Sequence, residues 1–134
     1  MDLGGFDCLE LVSVSGLADA RLLKGCGQVY ELLLWNTDVG KLDLNWLADC
    51  DNLRLLEFVE CSGFENCKQK AMPAFEFLRI VKPSRKFILS AFFKIFPSVR
   101  TLDLQGIRMS QIDCEVHPSV ELFVVNGKIL KNVQ

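Results

Sequence analysis

A chain of 134 residues, half of them hydrophobic and 24% charged, has the length of one domain and too much apolar content for a disordered segment. The formal net charge is only −2, yet residues 1–66 carry 12 acidic and 4 basic side chains (−8) while residues 67–134 carry 5 and 11 (+6), a dipole able to orient the protein against a charged partner. Met1 to Phe6 hold no Lys or Arg, and no run reaches the roughly 18–20 apolar residues of a membrane span, so neither a secretory signal nor a transmembrane helix is expected.

One apolar pattern organises the chain: apolar, two residues, apolar, one residue, apolar. In chain order, Phe6/Leu9/Leu11 predicts a strand near 8–12, Val29/Leu32/Leu34 one near 31–35 and Leu53/Leu56/Phe58 one near 55–59. Phe75/Leu78/Ile80 predicts a strand near 77–81, Val99/Leu102/Leu104 one near 101–105 and Val120/Phe123/Val125 one near 122–126. The instances start at 6, 29, 53, 75, 99 and 120, at steps of 23, 24, 22, 24 and 21 residues. Side chains alternate across a strand, so the second and third apolar positions of each instance share a face and point into a core. One such unit cannot bury its own apolar face; stacked units share a continuous one.

Between the strands the chain must return. Residues 42–48 place Leu44 and Leu47 three apart, and residues 88–96 place Phe92, Ile95 and Phe96 on one face, so helical crossovers are expected there. Residues 66–71 are more polar, and Pro73 and Pro97 punctuate the return to the next strand. Gly16, Gly63 and Gly106 fall shortly after strands, where a turn needs φ > 0.

The central unit, Ala48-Asp49-Cys50-Asp51-Asn52-Leu53-Arg54-Leu55-Leu56-Glu57-Phe58-Val59-Glu60-Cys61, resembles the cysteine-containing leucine-rich repeat found in F-box-class substrate receptors and in acidic leucine-rich nuclear phosphoproteins. Phe96-Pro97-Ser98-Val99 leads into its strand in the same way, and His117-Pro118-Ser119-Val120, followed through to Asn126-Gly127, is similar to the closing segment of short intracellular repeat proteins. The resemblance implies an α/β leucine-rich-repeat solenoid of about six repeats, one domain over 1–134, with a parallel sheet on the concave face and helices and loops on the convex face. The family's usual Asn or Cys at the ninth position is Cys61 in one repeat and Val14, Thr37, Pro83, Ile107 and Lys128 in the others, which predicts irregular loops after the strands. Neither an F-box-like segment nor an acidic tail is visible, so ubiquitin-ligase and phosphoprotein roles do not transfer.

The alternate strand positions form the solvent face: Cys8, Glu10, Val12; Glu31, Leu33, Trp35; Leu55, Glu57, Val59; Phe77, Arg79, Val81; Thr101, Asp103, Gln105; Leu122, Val124, Asn126. Its middle is apolar, which marks an interaction surface. A partner site is expected at Glu31, Leu33, Trp35, Leu55, Glu57, Val59, Phe77, Arg79 and Val81, anchored by Trp35 and Phe77, with Glu31, Glu57 and Arg79 at a polar margin. Coverage by a terminal segment or by a second copy of the chain is the other reading of that surface. A second surface is basic: Lys82, Arg85, Lys86 and Lys94, with Arg79 beside them and Lys68 and Lys70 preceding. It could neutralise phosphates, with Phe77 or Phe87 stacking on a base.

Chemistry-bearing constellations are sparse. His117 is the one histidine, three residues from Cys114, with no third group to complete a nucleophilic site. Cys50, Cys61 and Cys67 match no common zinc spacing, and Gly25-Cys26-Gly27 lacks the lysine of a phosphate loop. Asp49 and Asp51 have no partner at catalytic spacing. The six cysteines (Cys8, Cys26, Cys50, Cys61, Cys67 and Cys114) contain no C-x-x-C pair and read as reduced, packed thiols of an intracellular, cytoplasmic or nuclear protein. The expectation is a non-enzymatic protein-interaction scaffold or complex subunit with no cofactor, no metal and no membrane partner, self-association being open. The alternative is a ribonucleoprotein or nucleic-acid-associated module, such as a ribosome-bound factor, using the basic C-terminal half.

Overall fold

The computed structural model describes residues 8–12, 29–42 and 44–133. Seven strands form one open sheet in sequence order: β1 (Cys8–Val12), β2 (Glu31–Trp35), β3 (Leu55–Val59), β4 (Phe75–Val81), β5 (Val99–Gln105), β6 (Leu122–Val125) and β7 (Lys128–Asn132). β1 to β6 run parallel, and β7 turns back antiparallel to β6 through Asn126 and Gly127. The fold is α/β with a mostly parallel sheet, few helices and no closure. Each of the six triads sets a strand; β1, β2 and β3 have the expected bounds, and the other three differ at an end. β4 and β5 begin at the first triad residue, Phe75 and Val99, and β6 stops at Val125, so Asn126 belongs to the turn and not to the strand. Phe6, Val14, Gly16, Gly25, Cys26 and Gly27 lie outside the described residues, as do the side chains of Cys8, Glu10, Val12 and Asp49.

The paired inward positions of β2 to β6 are apolar and buried: Leu32, Leu34, Leu56, Phe58, Leu78, Ile80, Leu102, Leu104, Phe123 and Val125. The described crossovers pack on that face and complete one core. Among the described residues one crossover is α-helical. Helix α1 (Leu89–Ile95) buries Leu89, Phe92, Phe93 and Ile95, with Phe96 following at its end, on the face the spacing predicts. Ile88 offers no capping side chain, so Asp113 of the next crossover caps instead, accepting from the Ser90 N–H at 2.8 Å and from the Ser90 hydroxyl. Those bonds to the carboxylate hold the Asp113 pKa below its ordinary value. The helix expected over 42–48 is two 3-10 turns, Val39–Lys41 and Asn45–Asp49. Residues three apart eclipse in a 3-10 turn, so the Leu44 and Leu47 spacing suits that geometry; both are fully buried.

The centre of the core is aromatic. Phe58 packs edge-on to Phe64 at 5.2 Å, Phe64 edge-on to Phe87 at 5.4 Å, and Phe96 touches Phe58, Phe75 and Phe92 at 5.9, 5.5 and 5.3 Å. Offset and edge-to-face geometries of this kind add about 0.5–1.5 kcal/mol per pair beyond area burial. The rings come from strands and crossovers of two successive units, so they tie those neighbours together.

The strand exits are regular where irregular loops were expected. The residue after β2, β3, β4, β5 and β6 is left-handed in every case: Asn36 (φ 51°), Glu60 (φ 54°), Lys82 (φ 47°), Gly106 (φ 66°) and Asn126 (φ 50°). Asn36, Glu60 and Lys82 first donate their N–H to the next strand's last carbonyl, at 2.8–2.9 Å, and the chain then turns. The polar bonds at these exits come from different groups. Thr37 bonds its hydroxyl to the Trp35 carbonyl, and the Cys61 thiol donates to the Leu34 carbonyl at 3.2 Å. Ile107 has no polar side chain; Asn126, one unit on, accepts from its N–H and donates to its C=O. Gly63 (φ 86°) is pressed against Asp38, whose carboxylate caps Gly40, so a Cβ there would collide with that cap.

Candidate binding face

The face away from the crossovers is uncovered among the described residues. Strand register sorts it into three rows: Glu31, Leu55, Phe77, Thr101 and Leu122; Leu33, Glu57, Arg79, Asp103 and Val124; and Trp35, Val59, Val81 and Gln105. The nine residues expected at the partner site, Glu31, Leu33, Trp35, Leu55, Glu57, Val59, Phe77, Arg79 and Val81, all lie on this one face. Leu33, Leu55, Val59, Phe77 and Val81 are half-buried, Glu31 is exposed, and Trp35 stands out at 41% exposure with its indole N–H donating to Glu60 at 3.3 Å.

Of the three polar residues expected at its margin, Glu31 lies at the end of the first row, but Glu57 and Arg79 do not. Glu57 and Arg79 sit in the middle row, flanked by apolar rows. Arg79 pairs with Asp103 at 3.0 Å and with Glu57 at 3.9 Å, and its guanidinium lies 5.1 Å from the Phe77 ring. The reason is cross-strand register: Glu57, Arg79 and Asp103 are direct neighbours on β3, β4 and β5, where opposite charges attract. Arg79 therefore belongs to this network and not to the basic surface. Asp103 is nine-tenths buried, and both of its donors, Arg79 and Gln105, go to Oδ2; Oδ1 has no hydrogen-bond partner among the described residues.

A groove of about 1320 Å³ opens along the first row, at the N-terminal ends of β2 to β5. Leu55 and Phe77 form its floor, Thr101 its far side, and Tyr30, Asp51, Arg54 and Glu76 its walls. Sequence reasoning missed these walls. Tyr30, Arg54 and Glu76 each follow the first residue of a triad and so share the repeat's period, while Asp51 stands in the loop before β3; the fold gathers them. Glu76 continues outward through Arg100 (3.6 Å) to Glu121 (2.7 Å from Arg100).

The expected basic surface divides. Lys82, Arg85 and Lys86 are exposed on the loop after β4, beyond the C-terminal ends of the strands. Gln111 holds that loop, its amide donating to the carbonyls of Ser84 and Phe87 at 3.2 and 3.1 Å. Arg108 is exposed on the neighbouring loop. Lys94 is in the last turn of α1, where the crossover has already returned toward the opposite ends of the strands. Phe87 is fully buried against Phe64, so it cannot stack on a base.

Cys50, Cys61, Cys67, Cys114 and the histidine are absorbed by packing. Cys50 and Cys61 are buried; burial pushes the Cys61 thiol up to about 11 and also raises Cys67 and Cys114. The His117 ring stacks on Phe93 at 4.1 Å, with Nδ1 3.0 Å from the Pro97 carbonyl. Among the described residues no three His, Cys, Asp or Glu side chains gather as a metal site needs, and no helix is long and apolar enough to cross a membrane. Set against known family models, curated proteins and solved structures, the chain matches none.

Proposed function

We propose that this chain is a non-catalytic protein-binding scaffold or complex subunit, a leucine-rich-repeat solenoid that holds a protein partner on the open face of β2 to β4. One observation carries the reading: Leu33, Trp35, Leu55, Val59, Phe77 and Val81 surround the Glu57–Arg79 pair on the outward face, uncovered among the described residues, and the tryptophan projects from it. Surfaces of that kind mark interaction sites, and a large aromatic that is flat and half-wet makes a binding anchor. The reduced cysteines fit an intracellular setting. Retention of a partner from cell extract by the immobilised chain tests the reading. Trp35→Ala and Phe77→Ala should abolish retention, Arg85→Glu with Lys86→Glu should leave it, and moderate salt should leave it because the interface is mainly apolar. Retention indifferent to both aromatic changes rejects the face.

A second reading has its own observation. Lys82, Arg85, Lys86 and Arg108 are exposed on adjacent loops beyond the same ends of the strands, a basic ridge suited to RNA phosphates or a ribonucleoprotein surface. In that case affinity falls steeply with salt, the Arg85 and Lys86 reversals remove it, and Trp35→Ala does not.

A further inference from the structure

We infer that the groove over the first row is the docking site for a basic peptide segment of the partner, one that lays an arginine or lysine stem on Leu55 and Phe77 and sets its charge among the surrounding carboxylates. The inference rests on the reading that the open face binds a protein, and it adds the chemistry of what is bound.

Three observations carry it. The groove is large enough, at about 1320 Å³, for several side chains, and its floor is apolar with acidic walls. Among the described residues its charges do not balance: Asp51 and Glu76 line it against Arg54, and Glu57 and Asp103 in the next row share Arg79. That leaves four carboxylates to two guanidinium groups, or −2; adding Arg100 and Glu121, which are paired with each other, changes nothing. An RNA phosphate or an acidic peptide would meet repulsion, whereas a cationic segment is attracted and steered in. The third observation is an aromatic ring in the groove that already takes a cation. The Phe77 ring already carries the Arg79 guanidinium at 5.1 Å, so this surface suits cation–π contact.

The test uses two fluorescein-labelled peptides of equal length, one alternating arginine with leucine and one alternating glutamate with leucine. Each is titrated by anisotropy against the purified chain, against the combined variant Glu31→Gln, Asp51→Asn and Glu76→Gln, and against Arg85→Glu with Lys86→Glu. Circular dichroism verifies that each variant is folded. The arginine peptide should bind at least about tenfold more tightly than the glutamate peptide, about 1.4 kcal/mol. That preference should shrink as salt rises, vanish in the groove variant and persist in the loop variant. Absence of arginine-peptide binding, equal binding of the two, or a preference untouched by the groove variant overturns the inference. So does self-association of the purified chain, seen by light scattering and dissolved by the groove variant, because the occupant would then be a second copy. The two levels separate cleanly. If Trp35→Ala and Phe77→Ala abolish partner retention while the peptides show no basic preference, the face stands and its assigned chemistry falls. If retention ignores both aromatics, the face itself is wrong.

Discussion

The two faces of this sheet are built on the same strands with the same two-residue period, and they are opposite surfaces. Inward, β3 and β4 present Leu56, Phe58, Leu78 and Ile80, all buried against the crossovers. Outward, the same strands present Leu55, Glu57, Val59, Phe77, Arg79 and Val81, apolar in two rows and ionic in the row between. The difference teaches what an apolar residue means in each place. Inward it closes a core with partners from its own chain; outward, among the described residues, it has cross-strand neighbours alone.

The strongest way to break that comparison is to truncate one phenylalanine on each side. Phe92→Ala empties the centre of the ring cluster, where Phe64, Phe87, Phe93 and Phe96 converge, and should cost about 3–5 kcal/mol in denaturant unfolding. Phe77→Ala removes a half-buried ring and its interaction with Arg79, and should cost about 1 kcal/mol while abolishing partner retention. Equal costs at the two positions would mean that the outward face is itself part of a core, covered by chain or by a second copy.

The next effect concerns a polar group that does face inward. Burial raises the Cys61 thiol from 9.0 to about 11. The folded state keeps its proton after the unfolded chain has released it, so the associated stability is whole below pH 9.0 and declines as pH rises toward about 11. Two pH units at 1.36 kcal/mol each give a decline of about 2–3 kcal/mol across that window. Denaturation midpoints of the parent and of Cys61→Ala, compared from neutral to alkaline pH, isolate this contribution from lysine and tyrosine titration: the parent's excess decline should disappear in the variant. Parallel declines would mean that Cys61 opens to water before it ionises. Its outward counterpart would show no such window, since a solvated thiol titrates alike in both states.

How much of the molecule is legible in the sequence follows the same division. The inward face is readable because its rule is local and periodic: Leu32 and Leu34, or Phe58 after Leu56, repeat every 21–24 residues, and the strands lie where they repeat. The outward aromatics Trp35 and Phe77 follow from parity alone. What parity cannot show is which outward residues meet. Glu57, Arg79 and Asp103 are 22 and then 24 residues apart, and only the register makes them one row. Of the groove walls, Tyr30, Arg54 and Glu76 repeat with the triads, each following a triad's first residue, but Asp51 stands in a loop and carries no period. The exit turns are half legible: Gly106 and the Asn126-Gly127 pair announce φ > 0, but Glu60 and Lys82 do not, because they adopt a conformation their side chains disfavour.

Those two exits supply the smallest and most local test, at the point where a strand and both its faces end. A residue other than glycine in the left-handed region costs about 1–2 kcal/mol, and Asn tolerates it better than most. Asn36 and Asn126 already hold the same turn position in their own units. Glu60→Asn should therefore stabilise the fold by about 0.5–1 kcal/mol. The backbone bond from its N–H to Val81 stays, and the hydrogen bond that Glu60 accepts from the Trp35 indole lies in solvent, where it contributes little. Three residues earlier, Glu57→Asn should do the reverse. It replaces a strand residue with one that extended backbone disfavours and strips Arg79 of its second carboxylate. The same chemical change thus has opposite signs at two neighbouring positions, which denaturant midpoints resolve directly. A destabilised Glu60→Asn would show that the bond to Trp35 outweighs the backbone preference, and the turn would then owe its shape to the face that the indole occupies.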